Sequence, residues 1–198
     1  MMRRAGAYLV AVIAGLALGL GSALWMAGLW PAGDKLAFGD VDVRGWRSDF
    51  AIGSEAADPY TRLRVARHGL LALAQTEAVY FTRAVDDAGA PLSEGCTYRL
   101  SGGPMPAGWW SVTLYDGQSM LPANTDNALS IDGGRAGGGA WSAVIAPRRP
   151  ADEGMWISSR GAGRFDLTLR LYMPEAALIA APQTALDPPR VERVECPR

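Results

Sequence analysis

The hydrophobic pattern opens with a run that carries no charge. Ala5 to Trp30 are 26 positions of mostly Ala, Val, Leu, Ile, Gly and Met, with Tyr8, Trp25 and Trp30 near the ends. As a helix this run would be about 39 Å long, more than the roughly 30 Å hydrocarbon layer of a bilayer, so it predicts a tilted span. Arg3 and Arg4 precede it, and the next charges, Asp34 and Lys35, cancel. That asymmetry keeps the N-terminus in the cytoplasm and exports the chain beyond Pro31, with Trp25 and Trp30 at the far interface. Gly21-Ser22-Ala23 offers small residues to a signal peptidase, but the apolar run continues through Leu24, Trp25, Met26 and Leu29. An uncleaved signal anchor over 1–30 in a bacterial inner membrane is the reading that fits. Gly15 and Gly19 form a G-x-x-x-G pair and are the candidate helix-packing residues.

Beyond a connector assigned to 31–45 the period changes twice. Asp58-Pro59 reads as an N-cap followed by proline in the first turn. Tyr60, Leu63, Ala66, Leu70 and Leu73 then recur at helical spacing, opposite Arg62, Arg64 and Arg67, predicting an amphipathic helix that ends near Gln75. From there the period is two. Ala78–Thr82, Cys96–Leu100, Trp110–Tyr115, Trp141–Ala146, Arg164–Tyr172 and Val191–Val194 read as strands, separated by turns such as Asp87-Ala88-Gly89 and Asp116-Gly117. Phe165, Leu167, Leu169 and Leu171 fall on one face of the best of these, with charge or Thr on the other. A mainly β fold is expected for 46–198: an antiparallel β-sandwich or jelly-roll with one preceding amphipathic helix.

Charge and composition narrow the function classes. The 198 residues include 19 Lys+Arg and 20 Asp+Glu. Past Pro31 the balance is 17 cations to 20 anions, which offers neither nucleic acid nor anionic lipid a cationic surface. Lys35 is the only lysine, a bias typical of a GC-rich genome. The two cysteines, Cys96 and Cys196, have only each other to pair with, and export to an oxidising compartment would favour a disulfide.

Most catalytic constellations are missing. His68 is the only histidine, so His-based metal sites are excluded, and no metal or cofactor is expected. There is no G-x-S-x-G nucleophile elbow. Gly133–Gly139 lacks the Lys-Ser/Thr of a phosphate loop and reads as a flexible hairpin loop. Glu77, Asp86 and Asp116 lie at strand ends and are the candidates for carboxylate-driven hydrolysis, although Asp86, Asp87 and Asp116 also suit turns. Alternation points Trp110 into the core beside Val112 and Leu114. It leaves Trp109 and Tyr115, with Tyr80, as candidate walls of a ligand groove, or as edge packing.

Taken in order, several segments resemble a known family. They are Asp58-Pro59-Tyr60 with Ala66-Arg67-His68-Gly69, Glu77-Ala78-Val79-Tyr80-Phe81, Asp86-Asp87-Ala88-Gly89-Ala90-Pro91-Leu92, and Cys96-Thr97-Tyr98. Trp109–Asp116, Asn124, Ser130 and Leu169-Arg170-Leu171-Tyr172-Met173-Pro174 come after them. From about residue 45 to 197 the chain is similar to the DUF1214 domain, a family of unknown function, in its small membrane-anchored bacterial form. The resemblance implies a jelly-roll sandwich, a second Cys near the end to accompany Cys96, and kinship with proteins that join this domain to a DUF1254 domain, so a DUF1254-type partner is expected. It brings no established activity. Gly154-Met155-Trp156-Ile157 stands where the family often has Asn-Trp-Leu-Pro, and Asn127 where it tends to have Arg. The expectation is a membrane-anchored periplasmic binding or interaction module. The alternatives are a hydrolase of a carbohydrate- or phosphate-bearing envelope molecule and a structural subunit held through Gly15 and Gly19.

Overall fold

Period-two burial along the strands sorts them into two layers. The computed structural model describes residues 2–27, 29, 41–55, 57–67, 73–151 and 154–196. In chain order these hold the helix Met2–Met26 (α1), strands Val41–Val43 (β1) and Trp46–Ser48 (β2), and helix Pro59–Arg67 (α2). Strands Ala78–Arg83 (β3), Thr97–Gly102 (β4), Ala107–Asp116 (β5) and Ser130–Asp132 (β6) come next, then the single turn Gly133–Ala136 (α3). Strands Trp141–Ala146 (β7), Met155–Ser158 (β8) and Phe165–Pro174 (β9), the short helices Ala176–Ala180 (α4) and Pro182–Ala185 (α5), and strand Arg190–Glu195 (β10) complete them.

One sheet runs β1-β2-β3-β9-β5-β6, and the other β10-β4-β7-β8. All pairings are antiparallel except β7–β8, so the wholly antiparallel sandwich expected from the sequence is corrected to one with a mixed sheet. The chain doubles back after Ala146 and brings Met155 beside Ala143, which sends both strands the same way. Between the layers, Val79, Phe81, Trp110, Val112, Leu114, Leu167, Leu169 and Leu171 meet Tyr98, Leu100, Ala143, Ile145, Ile157 and Val191. Trp110 stacks on Trp141 at 4.6 Å, and Tyr98 meets Phe165 edge-on at 5.9 Å. Each fully buried Leu or Ile contributes about 1.5–3 kcal/mol through water exclusion.

The fold begins earlier than the expected boundary at residue 46. Val41, Val43 and Trp46 are buried, and the Trp46 indole donates to the Pro189 carbonyl at 2.8 Å. Arg44 and Gly45, both at positive φ, join β1 to β2 in a two-residue hairpin, with the Gly45 N–H donating to Asp42. Three-residue strands are too short to show a period, so this hairpin read as a connector. The expected linker residues up to Asp40, and His68 and Leu70, lie outside the described residues.

Two further expectations are corrected. Helix α2 is described to Arg67, and Leu73 and Ala74 are already outside a helix, so it does not reach Gln75. Its buried side is Thr61 and Val65, whereas Leu63 is exposed. Ile52, Gly53 and Ala57 lie on that side, around a hollow they share with Thr61 and Val65, and this neighbourhood decides the facing that periodicity assigned elsewhere. Asp58 caps α2 by accepting from the Tyr60 and Thr61 N–H groups, as the sequence indicated. Gly133–Gly139 is not a hairpin loop, because it joins β6 of one sheet to β7 of the other. It opens with α3, capped by Asp132, and a side chain at Gly133 would meet the Trp110 ring at 2.9 Å.

An ionic clamp and a covalent one fix the C-terminal strand. Arg83, on the core-facing side of β3 and buried, donates to the Val85 carbonyl and to Asp87 (2.7 and 2.8 Å). The Asp87 carboxylate also accepts from Arg190 and from the Val191 N–H, and its own N–H donates to the Val191 carbonyl. Burial opposes ionisation of Asp87, but Val191, Arg83 and Arg190 outweigh it and hold its pKa below the ordinary value. Cys96 and Cys196 are disulfide-bonded, with Cα atoms 4.1 Å apart.

Helix α1 stands apart from this core. Gly6–Met26 is long and apolar enough to cross a membrane, and none of its most apolar stretch is buried against the protein.

The disulfide closes a loop of 100 residues, which on chain entropy is worth about 4–5 kcal/mol. Denaturant unfolding of the full-length chain, followed by tryptophan fluorescence, is expected to show the C96S/C196S variant less stable by an amount of that order. Wild-type stability in the variant would show that the ionic clamp alone holds β10.

Candidate functional site

β9 lies between β3 and β5, so both of its edges are hydrogen-bonded within the sheet. Alternate residues point away from the core: Asp166, Thr168, Arg170 and Tyr172. Register then sets their neighbours. Trp109 lies beside Tyr172, Tyr80 and Ser111 flank Arg170, Thr82 and Thr113 flank Thr168, and Tyr115 lies beside Asp166. The three aromatic residues singled out from the sequence, Tyr80, Trp109 and Tyr115, therefore share one outward face, while Trp110 is in the core.

One end of this face is aromatic. Trp109 is 41% exposed, and its ring centroid is 5.3 Å from that of Tyr172 at an angle of 49°. The middle is polar. Arg170 lies over the Tyr115 ring, 5.3 Å from its centroid, and donates to the Tyr115 hydroxyl at 2.6 Å. Ser111 and Thr168 are small and buried among these larger side chains and form the floor. Burial raises the Tyr80 pKa, Tyr172 and Glu77 add to the effect, and Arg170 opposes it.

Asp166 forms the other end. It is 6% exposed and accepts no hydrogen bond from any described residue, although buried carboxylates are ordinarily paired. Burial, reinforced by the negative charge of Asp116 and only partly offset by Arg170, pushes its pKa up to about 7. Such a group changes charge near neutrality, the property expected of a functional carboxyl.

The three strands of this face fall within the segment that matches a known family. A family model described as a protein of unknown function (DUF1214) matches residues 77–176. The chain belongs to the DUF1214 family. Among solved structures, the VPA0106 protein from Vibrio parahaemolyticus is similar to it with a TM-score of 0.58 and 19% identity, over 91% of this chain and 44% of that one. An uncharacterised protein from Burkholderia cenocepacia matches with a TM-score of 0.45 and 14% identity, over 60% of this chain and 30% of that one. This DUF1214 chain thus spans less than half the length of the solved structures it matches. No curated protein matches it.

The strand-end carboxylates expected as candidate catalysts are tied to backbone in this DUF1214 domain. Glu77 accepts from the Ala74 N–H, and Asp116 from the N–H groups of Gln118 and Met120. Asp86 is buried, accepts from Ala88 and Ala90, and has Arg193 at 2.5 Å. Glu77 and Asp116 sit at opposite ends of β9, next to Met173 and Phe165, about 25 Å apart along the strand. That separation is far too wide for a paired-acid mechanism. Gly15 and Gly19 lie on α1 with open space where a side chain would project.

Asp166, Arg170 and Tyr172 were not among the sequence candidates. Their signal was present in the alternation of 164–172, which placed them on the face opposite the leucines. What the period cannot express is that bulky neighbours on β3 and β5 bury that face as well. A separate hollow of about 200 Å³ between α2 and the stretch holding Ile52, Gly53 and Ala57 has Arg62 as its only charged lining residue among the described residues.

Proton linkage gives a test. Folding raises the Asp166 pKa from 3.8 to about 7, so its favourable contribution to stability is complete below pH 4 and is lost as the pH rises to about 7. The difference in unfolding free energy between wild type and Asp166→Asn, measured from pH 4 to 8, cancels the contributions of the other groups. It is expected to shift in favour of the variant by on the order of 3–4 kcal/mol across that range. A pH-independent difference would mean that Asp166 titrates normally.

Proposed function

We propose that this protein is an inner-membrane-anchored envelope protein whose periplasmic domain binds a ligand on the outward face of β9. One observation carries the reading: the exposed Trp109 against Tyr172, the Arg170 guanidinium held by Tyr115, and the Asp166 carboxyl, which accepts no hydrogen bond from a described residue, stand in line along β9 and its neighbour β5. As the pH rises through neutrality, ionisation of Asp166 works against fold stability.

Other features support the location. The apolar span Gly6–Met26 of α1 with Arg3 and Arg4 before it suits a single pass with the N-terminus in the cytoplasm, and the Cys96–Cys196 bridge suits an oxidising compartment. We take the two packed sheets as a jelly-roll type of sandwich. A DUF1254-type protein is the proposed partner, on the kinship that the DUF1214 family suggests.

A second reading, a hydrolase of an envelope molecule, is favoured by the juxtaposition of Asp166 with Asp116, whose negative charge adds to burial in raising the Asp166 pKa. Capture of an intact ligand supports binding. Turnover that Asp166→Asn abolishes would support the hydrolase.

The test is made in cells. Alkaline phosphatase fused after Arg198 is expected to be active. A photo-crosslinking residue at Ser130, exposed on β6 opposite Thr113, is expected to trap an envelope molecule, and one at Arg99 on the other sheet is not. An inactive fusion would contradict the location, and identical yields at the two positions would contradict the site.

A further inference from the structure

We infer that the ligand of this face is an oligosaccharide chain laid along β9, with a sugar ring against Trp109 and Tyr172 and hydroxyl groups on Arg170 and Asp166. The inference rests on the binding reading above and names the class of ligand.

Geometry excludes the simpler alternatives. An extended peptide joins a sheet by pairing with an open edge, whereas β9 is paired on both sides, with β3 and β5. A lipid tail would cover Trp109 but offer no hydrogen bond to the Asp166 carboxyl at the other end of the face. A phosphate-rich or acidic polymer would meet Asp166 and Asp116 together, with the single charge of Arg170 to offset them.

A sugar suits each feature. The apolar C–H face of a pyranose matches an exposed indole flanked by a second aromatic ring. Its hydroxyls both donate and accept, so one can donate to the unpaired Asp166 carboxyl while others accept from the free N–H groups of Arg170. The platform and the carboxyl are six residues apart on one strand, about 20 Å, which is longer than a single ring and appropriate to a short chain of them. The floor between them, Ser111 and Thr168, is small and hydroxylated, and Tyr80, Arg170 and Tyr115 stand over it as the polar groups a chain of sugars would meet.

The experiment is calorimetric titration of the full-length chain, purified in a detergent that contains no sugar, with cellohexaose, maltohexaose and chitohexaose. At least one is expected to bind with a dissociation constant at or below about 1 mM. Trp109→Ala and Asp166→Leu are each expected to weaken it at least tenfold. Trp109→Phe retains most of the affinity, and Arg99→Ala, on the opposite sheet, changes nothing. Should Asp166→Leu fail to fold, Trp109→Ala decides, because it alters an exposed side chain. No heat from any of the three sugars at millimolar concentration overturns the proposal, as does binding indifferent to both substitutions. A crosslinked adduct at Ser130 without sugar binding would remove the oligosaccharide and leave the binding reading standing. Loss of both would remove both.

Discussion

β9 must be covered on two faces at once, and the rest of the domain is arranged around that requirement. Its inner face, Phe165, Leu167, Leu169 and Leu171, needs a second sheet, which β4, β7, β8 and β10 supply. Its outer face carries polar residues that β3 and β5 crowd with aromatic rings until Thr168 and Asp166 are also mostly covered. The first enclosure is the hydrophobic effect at work. The second has no such return, since it leaves a carboxyl with a sliver of solvent contact and no hydrogen bond from a described residue. Strain of this kind is tolerated where it serves a task, and here it coincides with the exposed aromatic platform one strand-length away.

The periphery keeps that arrangement rigid. The C-terminal strand β10 is held at one end by the Arg83–Asp87–Arg190 clamp and at the other by the disulfide to Cys96. Arg83 is an internal charge on an otherwise apolar side of β3, acceptable because Asp87 and the Val85 carbonyl occupy its donors. Trp46 closes the remaining corner by hydrogen-bonding the Pro189 carbonyl. The Arg83–Asp87 and Trp46–Pro189 contacts thus tie β3 and β2, of the sheet that bears the outward face, to the start of β10 in the other sheet.

Long strands were legible from the chain alone because alternation over six or more residues averages out local noise: β3, β5, β7 and β9 lie within a few residues of where the pattern put them. The short ones were not. Val41–Val43 and Trp46–Ser48 offer three residues each, and their hairpin is betrayed only by Arg44-Gly45. For α2, spacing gave the helix but not its buried side, which depends on the segment that packs against it. The same limit governs the site. Tyr80, Trp109 and Tyr115 could be named because aromatic side chains stand out in one dimension. Asp166 could not, because its character comes from neighbours on two other strands, and a charged residue in an alternating strand is otherwise the mark of a solvated face.

The account depends most on the state of that one carboxyl. Isotope-edited infrared spectroscopy of the full-length chain, with carbon-13 in its aspartates, observes the proton itself. At pH 6 the account predicts a protonated-carboxyl band that is absent from Asp166→Asn and fades with a midpoint near pH 7. Coincident spectra of the two proteins at pH 6 would mean that Asp166 is already ionised, and the outward face would then be an ordinary solvated surface.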